Sequence, residues 1–227
     1  MRRNLRLNLG FPLFFLAVLV FLLALIFGGT GLALSLSQDN LVFIPPNKTN
    51  TPRKPNVLFV CSGNTCRSAM AVVYAKFICS DKFNIDSAGT NANSGNTMTP
   101  KAQDILKKIV NIPYSVSEKH RSKKINKDLV LWADYILTME NVHKELVNKF
   151  SNWATYEIKE IDTLCSKLNI LDPWDDRNKP DPIPCLTYCK TFKQIKNCVD
   201  WFFSTTKPIC IPPKETQPLP SCSTICS

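Results

Sequence analysis

The chain has 227 residues, 44% of them apolar, and a formal net charge of +10. That is enough length for one ordinary globular domain with extensions. A basic surface suits anionic partners, but the chain carries no nucleic-acid-binding signature and no internal repeat, so a Lys-rich solvated surface is the plain account of the charge and nucleic acid is not an expected partner.

The first segment, "MRRNLR", is basic, and no charge follows from Leu7 to Gln38. Its most apolar part, Phe11 to Phe27, is 17 residues long, close to the roughly 20 that span a bilayer core. Residues 1–36 therefore read as a single-pass transmembrane anchor. The competing reading is a secretory signal with Ala33-Leu34-Ser35 as its cleavage site; the length of the apolar run favours the anchor. Arg2, Arg3 and Arg6 precede the segment, which places the N-terminus in the cytosol and the main domain on the exoplasmic or lumenal side. A secreted form and a cytosol-facing form are the alternatives. Residues 37–55, rich in Pro, Asn and Thr, read as a linker, in which Asn47-Lys48-Thr49 fits a glycosylation acceptor.

From Asn56 the pattern alternates strand and helix. "NVLFV" is a buried strand, and a helix runs from Ser68 to about Ile78. "FNIDSAGT" is a second strand. Thr99 and Pro100 signal a helix start running to about Val110. "DYILTM" (134–139) is a third strand, Asn141 caps a helix to about Lys149, and "TYEIKEI" (155–161) is a fourth strand. A last helix spans about Thr187 to Phe203, with Tyr188, Phe192, Ile195, Val199 and Phe202 forming one apolar stripe. This order predicts an α/β domain over 56–204: a four-stranded parallel sheet with helices on both faces and ligands bound beyond the carboxyl ends of the strands. Residues 205–227 form a Pro/Cys-rich tail.

The loop after the first strand, "CSGNTCRS", carries the chemistry. A strand-to-helix loop offers backbone N–H groups and a helix dipole to an anion. Gly63 allows close backbone approach, Asn64 tolerates a left-handed conformation and can tie the loop with its amide, and Arg67 can grip two phosphate oxygens. Ser62, Thr65 and Cys66 complete the phosphate-binding loop. Cys61 faces the same positive field, which favours a thiolate, and Ser68 can donate a hydrogen bond to it. The result is a nucleophile aimed at phosphorus. Attack needs an acid for the leaving group, and "NILDPWDD" offers Asp172, with Pro173 stiffening the loop and Trp174 walling the entrance. Asp175 and Asp176 read as solvated charges. No metal or cofactor is implied.

The chain has ten cysteines, two of them in this loop. Cys185, Cys189, Cys198, Cys210, Cys222 and Cys226 lie close together near the end, and their even number reads as a disulfide-stapled tail, with fifteen pairings open. Zinc is the competitor, but His120 and His143 are the only histidines and neither is near. A reduced catalytic thiol sits uneasily beside such a tail. An anchored lumenal enzyme with a cysteine nucleophile, an inverted cytosolic one and a phosphate-binding module without catalysis all remain open; the intact set of Cys61, Arg67, Ser68 and Asp172 speaks against the last.

The stretch "VLFVCSGNTCRSAMA" resembles the signature of the low-molecular-weight protein-tyrosine phosphatases. The likeness continues in order with "DSAGT" (86–90), "KHRSKKI" (119–125), "ADYILTME" (133–140) and "LDPW" (171–174), covering about residues 55 to 204. The resemblance implies Cys61 as nucleophile, Arg67 as phosphate ligand, Asn64 and Ser68 as supports, Asp172 as acid, and a phosphorylated protein as substrate. It also implies that Cys66 can form a reversible disulfide with Cys61; a small loop filler is the alternative. Ala69 and Val72 depart from the family's usual proline and glutamate, which touches helix packing more than chemistry. Thr65 resembles the family's arginine-phosphatase branch, whereas an aromatic wall at Trp174 suits phosphotyrosine. Phosphotyrosine is the first expectation and phosphoarginine the second. Arsenate reductases of the same fold relay a disulfide through two further mid-domain cysteines, and this chain has none between Cys79 and Cys165.

Overall fold

The computed structural model describes residues 53–151, 160–164, 169–176, 178–180, 182–211 and 218–227. Four strands, β1 (Asn56–Cys61), β2 (Asn84–Gly89), β3 (Tyr135–Thr138) and β4 (Glu160–Thr163), pair in parallel in the order β2-β1-β3-β4. The helices are α1 (Arg67–Cys79), α2 (Pro100–Val110), α3 (Tyr114–Ser117), α4 (Lys127–Trp132), α5 (Asn141–Ser151), α6 (Ile183–Thr205) and α7 (Cys222–Cys226). The chain moves from β1 to β2 on one side and then crosses to β3 on the other. The carboxyl end of β1 is thus the point where the winding reverses, the place where such sheets open a crevice.

β1 is central, and its side chains divide with the two-residue period of a strand. Val57, Phe59 and Cys61 join the core containing α1, α2 and α6. Leu58 and Val60 join the core on the opposite face with Val130, Ile136 and Val147. Both faces are covered, so the strand reads as a continuous apolar run. α1 is buried without a break from Arg67 to Ala75, which explains why its sequence shows no polar face. Ala69 and Val72 lie within that packed stretch.

The expected stripe of α6 is buried at every position named, from Tyr188 to Phe202. It packs edge-on against α1 and the sheet through Tyr74–Phe192 (centroids 5.7 Å) and Tyr135–Phe202 (5.5 Å). α6 starts four residues earlier than the expected Thr187, because Pro184 occupies the first turn, where a missing N–H costs nothing. Thr99 precedes α2 without a side-chain cap. The short helices α3 and α4 were not anticipated.

The tail is not separate from the domain. Cys210 is bonded to Cys79 at the end of α1, while Cys226 and Cys222 bond to Cys185 and Cys189 one turn apart on α6. The Cα separations are 5.9, 5.8 and 5.7 Å, within the usual reach of a disulfide. Cys198 is disulfide-bonded as well. The tail cysteines therefore do not staple the tail to itself. They clamp α7 onto α6 and tie residue 210 to the first helix. Cys61 and Cys66 are the free thiols among the described residues.

Among the described residues no helix is long and apolar enough to cross a membrane. The expected anchor within 1–36, residues 37–52 of the linker, and residues 155–159 of the expected fourth strand lie outside the described residues.

Candidate functional site

Four carbonyls of the loop from Cys61 to Arg67 are held from outside it by hydrogen bonds. Cys61 O accepts from Thr90 N (2.9 Å), Ser62 O from Asn91 N (2.9 Å), and Thr65 O from Thr99 N (2.9 Å). Asn64 O accepts from the half-buried His120 Nε2 (2.7 Å). In a planar trans peptide the next N–H points opposite to the carbonyl. The amides of Ser62, Gly63, Thr65 and Cys66 are thereby turned into the bowl of the loop, the arrangement that binds an anion.

Asn64 locks this shape. It adopts φ +54°, and its side chain is fully buried. Its Nδ2 donates to Ser68 Oγ (2.8 Å) and Ser87 Oγ (2.9 Å), and its Oδ1 accepts from Lys123 N (2.8 Å). Asn64 N donates toward Cys61 Sγ (3.2 Å), and Ser68 Oγ lies 3.0 Å from the same sulfur. Cys61 sits at the base of the bowl, with the Asn64 N–H directed at its sulfur and the Ser68 hydroxyl within hydrogen-bond reach of it.

The two glycines at the loop do different work. A Cβ at Gly63 would meet only Thr65 Oγ1 at 3.6 Å, an ordinary contact. The protein itself tolerates a side chain there, so its absence matters only to a ligand. Gly89 is the constrained position. A Cβ there would lie 2.5 Å from Ser62 O and 2.9 Å from Asn64 N, so the end of β2 supports the loop by direct backbone contact.

Arg67 is almost wholly buried. Its Nη1 donates to Glu140 Oε1 (2.6 Å) and Ile170 O (3.2 Å), and its Nη2 is paired with Asp172 Oδ2. Burial alone would lower its pKa, but Cys61, Asp172 and Glu140 together hold it above its ordinary value. Asp172 Oδ1 also accepts from Trp174 N (3.1 Å), at the start of a 3-10 turn, Pro173–Asp176. That loop rests on α6: Thr191 Oγ1 donates to Leu171 O (3.1 Å) and Thr187 Oγ1 to Asp176 Oδ2 (2.5 Å). Asp176, expected to be a solvated charge, instead joins Thr187 to Lys179.

A cavity of about 300 Å³ opens over the loop. Every residue expected from sequence lines it except Ser68, which lies buried behind the loop. Asn91, Asn93 and Asn96 form a wall that the sequence reading did not include. It also missed Ser87, Gly89, Glu140 and His143, although the first three fall within the quoted stretches "DSAGT" and "ADYILTME". His143 is buried on α5, with Nε2 2.8 Å from Ser62 Oγ. Burial, then the nearby Arg67 charge, pushes its pKa down to about 4. Burial and the neighbouring Cys61 push the Cys66 thiol well up, so it stays protonated beside Tyr188.

A buried thiol under an inward-facing amide bowl, with a guanidinium and a carboxylate at the rim, defines an α/β protein built for phosphoryl chemistry at cysteine. The pattern of the low molecular weight phosphotyrosine protein phosphatases matches residues 56–207, and the chain belongs to that family. It is 31% identical over 151 residues to the low molecular weight phosphotyrosine protein phosphatase of Rattus norvegicus, covering 60% of this chain and 92% of that one. It is 33% identical over 91 residues to a protein-arginine-phosphatase of Geobacillus stearothermophilus, covering 40% of this chain but only 58% of the relative. The crystal structure of a low molecular weight protein tyrosine phosphatase from T. tengcongensis superposes with a TM-score of 0.56 at 26% identity, over 67% of this chain and all of that one.

Proposed function

We propose that the protein is a phosphoprotein phosphatase acting through a phosphocysteine intermediate, with phosphotyrosine as its first substrate. One observation carries the reading: Cys61, Arg67 and Asp172 converge on a single cavity although Asp172 lies 105 residues beyond Arg67. In the reaction, Cys61 Sγ attacks phosphorus while the loop amides and Arg67 hold the non-bridging oxygens. Asp172 protonates the departing oxygen, then takes a proton from the water that hydrolyses the phosphocysteine. Asn64 and Ser68 support the loop and the thiolate. Trp174, half-exposed at the mouth, walls the substrate's ring.

Phosphate release from phosphopeptides by the purified chain tests this, with Cys61→Ser as control. Loss of turnover in C61S supports it, and equal release by C61S refutes it in favour of a contaminating activity. Folded wild-type protein that binds phosphate without turnover would point to the binding module instead. A second reading, phosphoarginine, is supported by Thr65 and by the asparagine wall at 91, 93 and 96, which offers polar partners to a guanidinium. Competition between phosphotyrosine and phosphoarginine peptides decides between them. Arsenate reduction by a thiol relay has less support, since Cys61 and Cys66 are the free thiols among the described residues.

The domain works on the exoplasmic or lumenal side of a membrane, held by residues 11–27 through the linker. The apolar length of that run and the arginines before it support this, as do the disulfides at 79–210, 185–226 and 189–222, which suit an oxidising compartment. Protease protection in sealed membranes is the test. Digestion from the cytosolic face refutes the orientation, and recovery in the soluble fraction refutes the anchor.

A further inference from the structure

His143 takes no part in the reaction above, yet it is buried against the loop that performs it. Its Nε2 lies 2.8 Å from Ser62 Oγ and 3.7 Å from Glu140 Oε2. Its Nδ1 has no hydrogen-bond partner among the described residues. The charged groups bearing on the ring are Arg67 from α1, Glu140 ahead of α5, and Asp172 from the loop before α6. The ring is neutral near pH 7, so it carries one proton, and the surroundings decide where. A proton on Nδ1 would bury an N–H with nothing to donate to and turn a lone pair toward the Glu140 carboxylate. A proton on Nε2 leaves only an unmatched acceptor at Nδ1, the less costly orphan, and aims the N–H at Ser62 and Glu140.

Ser62 Oγ then accepts from His143 Nε2 and is approached by Arg67 Nη2 at 3.4 Å. With both lone pairs of the hydroxyl engaged, its own hydrogen must take the remaining direction, and Ser62 borders the cavity. We propose that His143 is a positioning residue that fixes the Ser62 hydroxyl as a hydrogen-bond donor into the anion bowl, adding a side-chain ligand for a phosphate oxygen to the amides and Arg67. Without the imidazole behind it, the hydroxyl would be free to rotate its hydrogen away from the bowl. This rests on the phosphatase reading for its purpose, but not for its geometry.

Nitrogen-15 NMR of the His143 ring in the ligand-free full chain reads the tautomer directly. A protonated Nε2 with a bare Nδ1 is expected, and a protonated Nδ1 overturns the proposal. Calorimetric titration with inorganic phosphate then compares wild type with H143L, S62A, the double variant and H143Q. H143L and S62A should each weaken phosphate binding about tenfold, the scale of one lost hydrogen bond to a charged group. The double variant should be no weaker than either single one, and H143Q, which keeps a donor, should recover part of the loss. Additive losses, or H143Q no better than H143L, would mean that the histidine only fills space. If H143L fails to fold, the wild-type tautomer still decides. Absence of turnover in the wild type would sink the phosphatase reading while leaving both measurements able to judge His143.

Discussion

Asn64→Ala is the most informative single change, because the structure allows its cost to be worked out. The side chain makes three hydrogen bonds, to Ser68, Ser87 and the amide of Lys123. Each is worth about 1 kcal/mol net, and the Lys123 N–H is left to find another partner. Alanine at φ +54° adds about 1 kcal/mol of backbone strain. The sum is about 4 kcal/mol, a large part of the ~5–15 kcal/mol that holds a domain together. Urea denaturation of N64A against wild type measures it, with unchanged m-values showing that the folded and unfolded ensembles are comparable. N64G loses the same bonds but sheds the strain while gaining chain entropy, so it should be no less stable than N64A. An N64A protein within 1 kcal/mol of wild type would show that the loop holds its shape by other means, and the account of Asn64 as its lock would fail.

Other changes test other joints of the structure. G89A should cost about 1–3 kcal/mol and most of the phosphatase activity, since its Cβ must displace Ser62 O or Asn64 N; thermal unfolding and phosphate release on the same sample would show whether both fall. D172N should lower turnover about 10²–10⁴-fold for aryl phosphates. An effect under tenfold would remove Asp172 as the acid. The pair C79S/C210S should destabilise by about 5 kcal/mol and C189S/C222S by about 4, because the loops they close span 131 and 33 residues; the reverse order in denaturant would contradict the chain-entropy account. His143 should make the fold acid-sensitive. Its folded pKa of about 4 lies below the ordinary 6.5, so the unfolded chain takes up the proton first. Stability is then full above pH 6.5 and falls as pH drops toward 4. H143L should flatten that part of the curve, leaving the smaller slope from His120, whose pKa is also lowered by burial.

The parts of the site legible in the sequence are those that are local. Cys61 through Ser68 form one unbroken strand–loop–helix segment, and the positive φ of Asn64 follows from its own residue type. Asp172 was visible as an acid beside Pro173, though its contact with Arg67 spans 105 residues. Glu140 and His143 were hidden because their partners, Arg67 and Ser62, lie 73 and 81 residues away, and nothing in the local pattern of α5 distinguishes a buried histidine from a solvated one. Gly89 was hidden for another reason: its constraint comes from a neighbouring backbone, which carries no side-chain signature. The cysteines show the limit most plainly. Of the six near the end of the chain, Cys185 with Cys226 and Cys189 with Cys222 pair within the set, but Cys210 reaches back to Cys79, a residue the tail's composition could not implicate. Helix α6 was readable from its apolar stripe, and only its start was misjudged.

The resting state of Arg67 has a consequence for how the site wakes. Its single positive charge faces two carboxylates, Glu140 and Asp172, so the guanidinium is more than matched before any anion arrives. An arriving phosphate competes for that guanidinium, and the group at the cavity's rim that it can displace is Asp172, the carboxylate that the proposed reaction needs free. Occupancy and arming then become one event. Until an anion claims the arginine, the proposed acid stays engaged with the very residue that will later grip the substrate.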